Sequence, residues 1–235
     1  MSQVTGIEQR LVEVRRRIFQ AAARGKREPG TVRLLAVSKN KPVSDIEEAY
    51  DAGQRCFAES RVQEWTEKAL AMQDRCEWHF VGSLQTNKVK YLRPSLFLIH
   101  SLDRFSLLES LNSHGEREGW VWKTLVQVNA ARDSAKAGLL PEEVPDFLAS
   151  VGDHPSVQVL GFMTIGAIDA APEETREVFR KLRALRDDLH PRKWPGGVDM
   201  RELSMGMSDD FETAIEEGAT FVRVGRQIFG ERLRK

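Results

Sequence analysis

The sequence predicts an α/β fold: a (β/α)8 TIM-type barrel preceded by an N-terminal helix. Eight short apolar runs of strand length alternate with stretches of helical periodicity. Strands joined through helices must run parallel. The length of 235 residues fits a closed eight-stranded barrel, which takes roughly 250 residues, better than an open doubly wound sheet. We therefore expect a single domain over residues 1–235.

The opening helix is indicated by four apolar residues at helical spacing. Ile7, Leu11, Val14 and Ile18 follow one another at intervals of three or four residues, which places them on one face of a helix. The helix is predicted to end near Gly25.

The remaining elements alternate in type along the chain. The predicted strands are residues 32–38, 55–58, 77–81, 96–100, 123–129, 157–164, 201–205 and 220–224. The predicted helices among them are residues 44–52, 61–72, 104–118, 141–150, 173–189 and 209–217. In such barrels the chemistry lies at the carboxyl ends of the strands.

Composition excludes several classes of function. The 35 Lys+Arg residues are balanced by 35 Asp+Glu, so there is no basic excess for nucleic acid or an anionic membrane. The longest uncharged stretch is well short of the roughly 20 apolar residues that span a bilayer, and the first ten residues have no secretory-signal core. We expect a cytoplasmic protein in which Cys56 and Cys76 are free thiols.

The first predicted strand ends in a lysine. Residues 34–38 form a nearly continuous apolar run, and Lys39 follows it. At a barrel mouth, partial desolvation disfavours an ammonium group and lowers its pKa, which is what a Schiff-base nucleophile requires. The alternative is a lysine that extends into water at a strand end.

The seventh predicted strand leads through a glycine and two serines into a helix, whose first turn offers backbone N–H groups to an anion. Ser208 or Asp209 is a natural cap for that helix, whereas Ser204 lies on the strand side.

The eighth predicted strand is followed by Gly225, which permits close backbone approach at a second helix start. Loops after strands seven and eight form the usual phosphate site of such barrels. Closure of the barrel makes them neighbours of Lys39. The combination suggests pyridoxal 5′-phosphate (PLP), whose aldehyde reacts with a lysine while its phosphate anchors the ring.

Long motifs in the same order resemble those of a known family. They are AVSK at 36–39, WHFVGSLQTNK at 78–88, HSLD at 100–103, QVN at 127–129, SAKAG at 134–138, LSMGMSDD at 203–210 and VRVGR at 222–226, with Phe229 and Gly230. From Leu34 to about Arg232 the chain resembles the pyridoxal phosphate homeostasis protein family, a single-domain relative of the alanine racemase barrel.

The resemblance implies a role for each of eight residues. Lys39 would carry PLP as a Schiff base, and Arg223 would face the pyridine nitrogen. The residues implied to hold the phosphate are Ser204, Gly225 and Arg226. Those implied to line the pocket from other strand ends are Asn129, Met163 and Ser101.

Other polar residues have different explanations. Ser60 stands where the family usually has Asn, so a shorter hydroxyl would replace any contact of that amide. His79 lies on an apolar strand and is predicted to be a hydrogen-bonded core residue. The five histidines show no metal-ligand spacing. Lys136 is either a second amine near the pocket mouth or a loop charge, and Asp209 and Asp210 are best explained by helix capping.

The residues favour a carrier over an enzyme. A guanidinium beside the pyridine nitrogen disfavours its protonation and weakens the ring as an electron sink. Two-base racemisation also needs a second proton donor or acceptor, and the only tyrosines, Tyr50 and Tyr91, lie in the N-terminal half.

We therefore expect a monomer that binds PLP and acts in intracellular vitamin B6 and amino-acid homeostasis without turnover, as the resemblance implies. PLP-dependent apo-enzymes are the candidate recipients, and no nucleic-acid or membrane partner is expected. The alternatives are a low-activity PLP-dependent amino-acid racemase, and a (β/α)8 enzyme in which Lys39 forms a Schiff base with a phosphorylated substrate.

Overall fold

The computed structural model describes residues 6–166, 171–194 and 196–231. Eight parallel strands close into a barrel in sequence order, because β1 pairs with β8. The strands are β1 Arg33–Val37, β2 Cys56–Glu59, β3 Glu77–Phe80, β4 Leu96–Leu102, β5 Trp122–Gln127, β6 Val157–Met163, β7 Val198–Ser204 and β8 Phe221–Val224. The predicted fold class is confirmed.

Helices follow most of the strands and surround the barrel. They are α1 Ile7–Arg24, α2 Val43–Asp51, α3 Val62–Ala71, α4 Phe105–Glu118, α5 Val144–Ser150, α6 Pro172–Leu189, α7 Phe211–Glu216 and α8 Arg226–Phe229. Between β3 and β4, where no helix is predicted, the chain forms a 3-10 helix over Thr86–Tyr91.

The start of β7 differs from the prediction by three residues. The strand begins at Val198, whereas the apolar pattern places its start at Arg201. Asp199 is only partly buried and Arg201 is exposed. Asp199 interrupts the apolar run by which a buried parallel strand is recognised, so the first three residues of the strand were missed.

The core has two layers. A small cluster fills the inside of the barrel and consists of Leu35, Ala58, Leu98, Leu125, Met163 and Phe221. The larger layer lies between the strands and the surrounding helices. The predicted apolar face of α1 belongs to that layer: Ile7, Leu11, Val14 and Ile18 are all buried, and α1 packs against α2, α7 and α8.

Closure of the sheet brings three strand ends together. β8 pairs with both β1 and β7, so the residues that follow these strands meet at one end of the barrel.

Cys56 and Cys76 are free thiols, as predicted. In the part of the chain that the structure describes, no helix is long and apolar enough to cross a membrane.

Candidate functional site

A cavity of about 200 Å³ opens where β1, β7 and β8 end. It is lined by Val37, Lys39, Val81, Ile165, Met207, Ser208, Asp209, Arg223, Gly225 and Arg226. Four of the eight residues predicted for the site, Lys39, Arg223, Gly225 and Arg226, are among them. The cavity therefore combines an amine and two guanidinium groups.

The backbone that carries Lys39 is held from below by buried polar groups. The Ser38 hydroxyl donates to Glu59 Oε1 at 2.7 Å, and Lys68 Nζ donates to the Ser38 carbonyl oxygen at 2.8 Å. Lys68 also donates to Glu59 Oε1 at 2.7 Å. Ser38, Glu59 and Lys68 are all buried. Their hydrogen bonds hold the backbone in place immediately before the half-buried Lys39.

Arg223 is a buried cation in the wall of the cavity. Its Nη1 donates to Ser204 Oγ and its Nη2 to the Thr164 carbonyl oxygen, both at 2.8 Å. Burial lowers its pKa to about 10, and the charge of Asp210 opposes that shift. Arg223 therefore remains positively charged at neutral pH.

The loops after β7 and β8 are joined by hydrogen bonds. The Gly225 N–H donates to Ser208 Oγ at 3.4 Å, and Gln227 Nε2 donates to the Ser208 carbonyl oxygen at 2.6 Å. Arg226 forms an ion pair with Asp209. A Cβ at residue 225 would lie 3.1 Å from the Val37 carbonyl oxygen, so glycine lets this loop approach β1.

The cap of α7 is one of the three residues for which capping was predicted. Asp210, and not Ser208 or Asp209, occupies the cap position. Its carboxylate accepts the Met207 N–H at 2.5 Å. Ser208 and Asp209 are thereby left to line the cavity.

The other four predicted residues lie outside the cavity lining. Ser204 is fully buried, and its hydroxyl contacts Arg223 and His100. Met163 belongs to the cluster inside the barrel. Ser101 is fully buried, and its hydroxyl has no hydrogen-bond partner among the described residues. The Asn129 side chain bonds to the backbone of Asp133 and so shapes the loop after β5.

Sequence reasoning missed the apolar walls of the cavity. Val37, Val81 and Ile165 lie at or next to strand ends, and this position is the signal that could have identified them.

Lys136 donates to the Gly166 carbonyl oxygen at 2.6 Å, beside Ile165. A larger cavity of about 550 Å³ lies outside the barrel along α3 and contains none of the predicted site residues.

His79 is a hydrogen-bonded core residue, as predicted. Its Nδ1 lies 2.9 Å from His100 Nε2, and its Nε2 lies 2.9 Å from Glu77 Oε1. Burial lowers the pKa of His79 despite the opposing effect of Glu77. Burial, together with the positive charges of Arg223 and Arg33, places the pKa of His100 well below its usual value. Both imidazoles are therefore neutral at physiological pH.

These two histidines predict a loss of stability in mild acid. A histidine with a pKa near 6.5 in the unfolded chain and a lower one in the folded chain binds more protons when unfolded, so stability falls as pH drops below about 6.5. We expect the free energy of unfolding, measured by urea titration, to fall by about 1 to 2 kcal/mol between about pH 6.5 and pH 5.5. His100→Asn should show a shallower fall. A free energy that is flat or higher at the lower pH would contradict the prediction.

The fold and the cavity define the class of protein: a barrel of the alanine racemase N-terminal type with a lysine at the end of its first strand. The sequence model of the family described as alanine racemase, N-terminal domain, matches residues 14–233. The chain belongs to the pyridoxal phosphate homeostasis protein family. The protein of that name from Aquifex aeolicus is 44% identical over 95% of this chain and 97% of its own length. The human protein of that name is 38% identical over 99% of this chain and 89% of its own.

Solved structures agree with this membership. PipY of Synechococcus elongatus, solved with PLP bound, has a TM-score of 0.82 and 35% identity, covering 95% of this chain and 100% of that one. The alanine racemase of Corynebacterium glutamicum has a TM-score of 0.69 at 15% identity, covering 95% of this chain and 62% of that one. The second likeness concerns the fold alone.

Proposed function

We propose that this chain binds pyridoxal 5′-phosphate and acts in intracellular vitamin B6 and amino-acid homeostasis, carrying the cofactor as a Schiff base on Lys39. The observation that carries the proposal is that one cavity contains Lys39, Arg223 and Arg226. The donor set fits the cofactor, which needs an amine for its aldehyde, a partner for its ring nitrogen and cations for its phosphate.

Each residue of the cavity has a distinct task in this proposal. When bound, PLP supplies an aldehyde that condenses with a lysine amine, with loss of one water molecule. Lys39 is the amine, held in place through Ser38. The Arg226 guanidinium and the backbone N–H groups of Arg226 and Gln227, which begin α8 and precede its first internal hydrogen bonds, bind the phosphate beside Gly225. Arg223 presents its positive charge to the pyridine nitrogen.

The remaining predicted residues support the site from behind. Ser204 contacts Arg223 directly. Ser101 and Met163 lie in β4 and at the end of β6, and Asn129 orders the loop after β5. We propose that these four shape the pocket around the residues that line it.

The proposal is a carrier without catalytic turnover. A buried cationic Arg223 disfavours a protonated pyridine nitrogen, and so weakens carbanion stabilisation by the ring. No tyrosine occurs among the described residues that line the cavity. The Tyr50 ring lies 3.9 Å from the Arg55 guanidinium, and Tyr91 is 51% exposed. We further propose a cytoplasmic monomer that supplies PLP-dependent apo-enzymes.

Borohydride reduction tests the attachment. The chain is incubated with PLP, reduced and digested, and the peptides are analysed by mass spectrometry. We expect the phosphopyridoxyl mass on Lys39, and none on that peptide in Lys39→Met. Lys41 is the matched control, because it lies two residues away and donates to the Phe229 carbonyl oxygen at 2.7 Å. Label on Lys41 alone, or no label at all, would refute the proposal.

Turnover is tested separately in deuterated water. The PLP-loaded chain is incubated with L-amino acids, and α-hydrogen exchange and D-enantiomers are measured. A carrier gives rates no higher than free PLP at the same concentration. Exchange that is faster than free PLP, and is lost in Lys39→Met, would support the racemase alternative.

A further inference from the structure

A continuous line of hydrogen bonds crosses the inside of the barrel from the cavity to the opposite end. Arg223 Nη1 lies 2.8 Å from Ser204 Oγ, which lies 2.8 Å from His100 Nδ1. His100 Nε2 lies 2.9 Å from His79 Nδ1, and His79 Nε2 lies 2.9 Å from Glu77 Oε1. We call these five residues the buried chain.

The buried chain is shielded from water except at Glu77, whose side chain is 30% exposed. His79, His100 and Ser204 are fully buried. The ring of Phe221 packs against both imidazoles, with centroids 5.4 and 5.5 Å away, and the ring of Phe97 lies 5.4 Å from that of His79. Hydrogen bonds in such a dry interior are strong, and unpaired polar atoms there are costly.

The two ends fix the direction of every hydrogen bond between them. Arg223 can only donate. Burial opposes ionisation of Glu77, but His79 and the charge of Arg33 outweigh it and lower the pKa of Glu77 to about 2, so this carboxylate can only accept.

The neutral imidazoles leave one arrangement. His79 Nε2–H must donate to Glu77, so His79 Nδ1 accepts from His100 Nε2–H. His100 Nδ1 must then accept, and the donor that faces it is the hydroxyl of Ser204. The Ser204 oxygen in turn accepts from Arg223.

We propose that Glu77, at the opposite end of the barrel from the cavity, is a positioning residue that orients Arg223 through His79, His100 and Ser204. Its carboxylate sets both imidazole tautomers and commits the Ser204 proton to His100. Ser204 therefore presents only a lone pair to Arg223, and holds that guanidinium in place rather than donating to a phosphate.

Glu77 is itself held by its neighbours. Arg33 forms an ion pair with Glu77 at 2.5 Å, and the Arg33 guanidinium stacks 4.5 Å from the centre of the Phe221 ring. Cys56, Glu77 and His79 bring metal-binding atom types within 4.8 Å of one another. Arg33 is a cation on the same Glu77 oxygen that faces His79. We therefore describe this cluster as the end of the hydrogen-bonded chain and not as a metal site.

The first test uses the protein without ligand. Nitrogen-15 spectra of the imidazole groups report which ring nitrogen carries the proton. We expect the Nε2–H tautomer for both His79 and His100 at about pH 8, and titration of both only below the ordinary histidine pKa. An Nδ1–H tautomer on either residue, or titration near the ordinary histidine pKa, would overturn the proposal.

Variants at position 77 test the control of direction. Glu77→Met removes the acceptor, so His79 should shift towards the Nδ1–H tautomer and His100 should follow. Glu77→Gln keeps an acceptor oxygen without the charge and should retain Nε2–H on both. Glu202→Met is the matched control, because this nearby carboxylate accepts from Thr220 and lies outside the buried chain. Unchanged tautomers in Glu77→Met would refute the role of Glu77.

The link to the ligand rests on the proposed function and is measured with PLP as the probe. We expect Glu77→Met to weaken PLP binding by about tenfold, the lower end of what outer-shell changes cause at metal sites, and Glu77→Gln and Glu202→Met by less than about threefold. Equal binding by all three variants would show that the chain does not position Arg223. If the unaltered protein fails to bind PLP, the proposed function fails, while the ligand-free spectra still decide the direction of the chain.

Discussion

Replacing Lys68 by methionine should destabilise the protein by about 3 to 5 kcal/mol, because it leaves a buried carboxyl group without its cation. Lys68 Nζ donates to Glu59 Oε1 and Glu64 Oε1, each at 2.7 Å. Glu59 is fully buried, and burial already raises its pKa although Lys68 opposes the shift. Its other oxygen has no hydrogen-bond partner among the described residues. The free energy of unfolding from urea titration measures the loss.

The loss should depend on pH with a definite sign. Without Lys68 the pKa of Glu59 rises further in the folded chain, whereas the unfolded value stays near 4.3. A carboxyl group with a raised folded pKa destabilises the fold increasingly as pH rises from the unfolded value to the folded one. Lys68→Met should therefore be more destabilising at about pH 8 than at about pH 5.

A double variant separates loss of charge balance from loss of packing. Lys68→Met with Glu59→Gln removes both charges and keeps an acceptor for the Ser38 hydroxyl, so we expect it to recover at least about 2 kcal/mol relative to the single variant. The Lys68–Glu59 pair also holds the backbone before Lys39 through Ser38. Labelling both variants with PLP and borohydride therefore measures whether Lys39 keeps its position. A single variant within about 1 kcal/mol of the unaltered protein would contradict the prediction.

The strands of this barrel could be predicted from the sequence because parallel strands in a barrel are buried on both faces. A parallel strand covered on both faces reads as a continuous apolar run, as residues 34–37 of β1 do. β7 shows the limit, because the partly exposed Asp199 breaks the apolar run near the start of the strand. The 3-10 helix at Thr86–Tyr91 was missed because six residues are too few to establish a helical period.

The site was predictable only where position along a strand decides function. Lys39, Gly225 and Arg226 lie within two residues of the ends of strands that must meet, so strand order alone brings them together. The buried chain depends instead on which side chains point into the barrel. Ser204 and His100 are 104 residues apart in the sequence, and their contact requires the closed barrel. No spacing rule links such residues.

Replacing Gly161 by alanine should destabilise the protein by about 3 kcal/mol or more, because its place in β6 has no room for a Cβ. Gly161 has a φ of +150°, and a Cβ there would lie 1.9 Å from the Glu202 carbonyl oxygen in β7. Gly161 pairs with Glu202 where the register of the two strands shifts. Thermal or urea unfolding measures the cost.

Gly119→Ala is the matched control, because this residue also has a positive φ, of +73°, but a Cβ there would have no atom within 4 Å apart from its neighbours along the chain. It ends α4 in the left-handed conformation, and its replacement should cost about 1 kcal/mol. The difference between the variants therefore measures the clash with β7. Met163 pairs with Ser204 two residues beyond Gly161, so separating these strands should also displace Arg223 and weaken PLP binding. Equal losses in the two variants would show that β6 can move away from β7 at little cost.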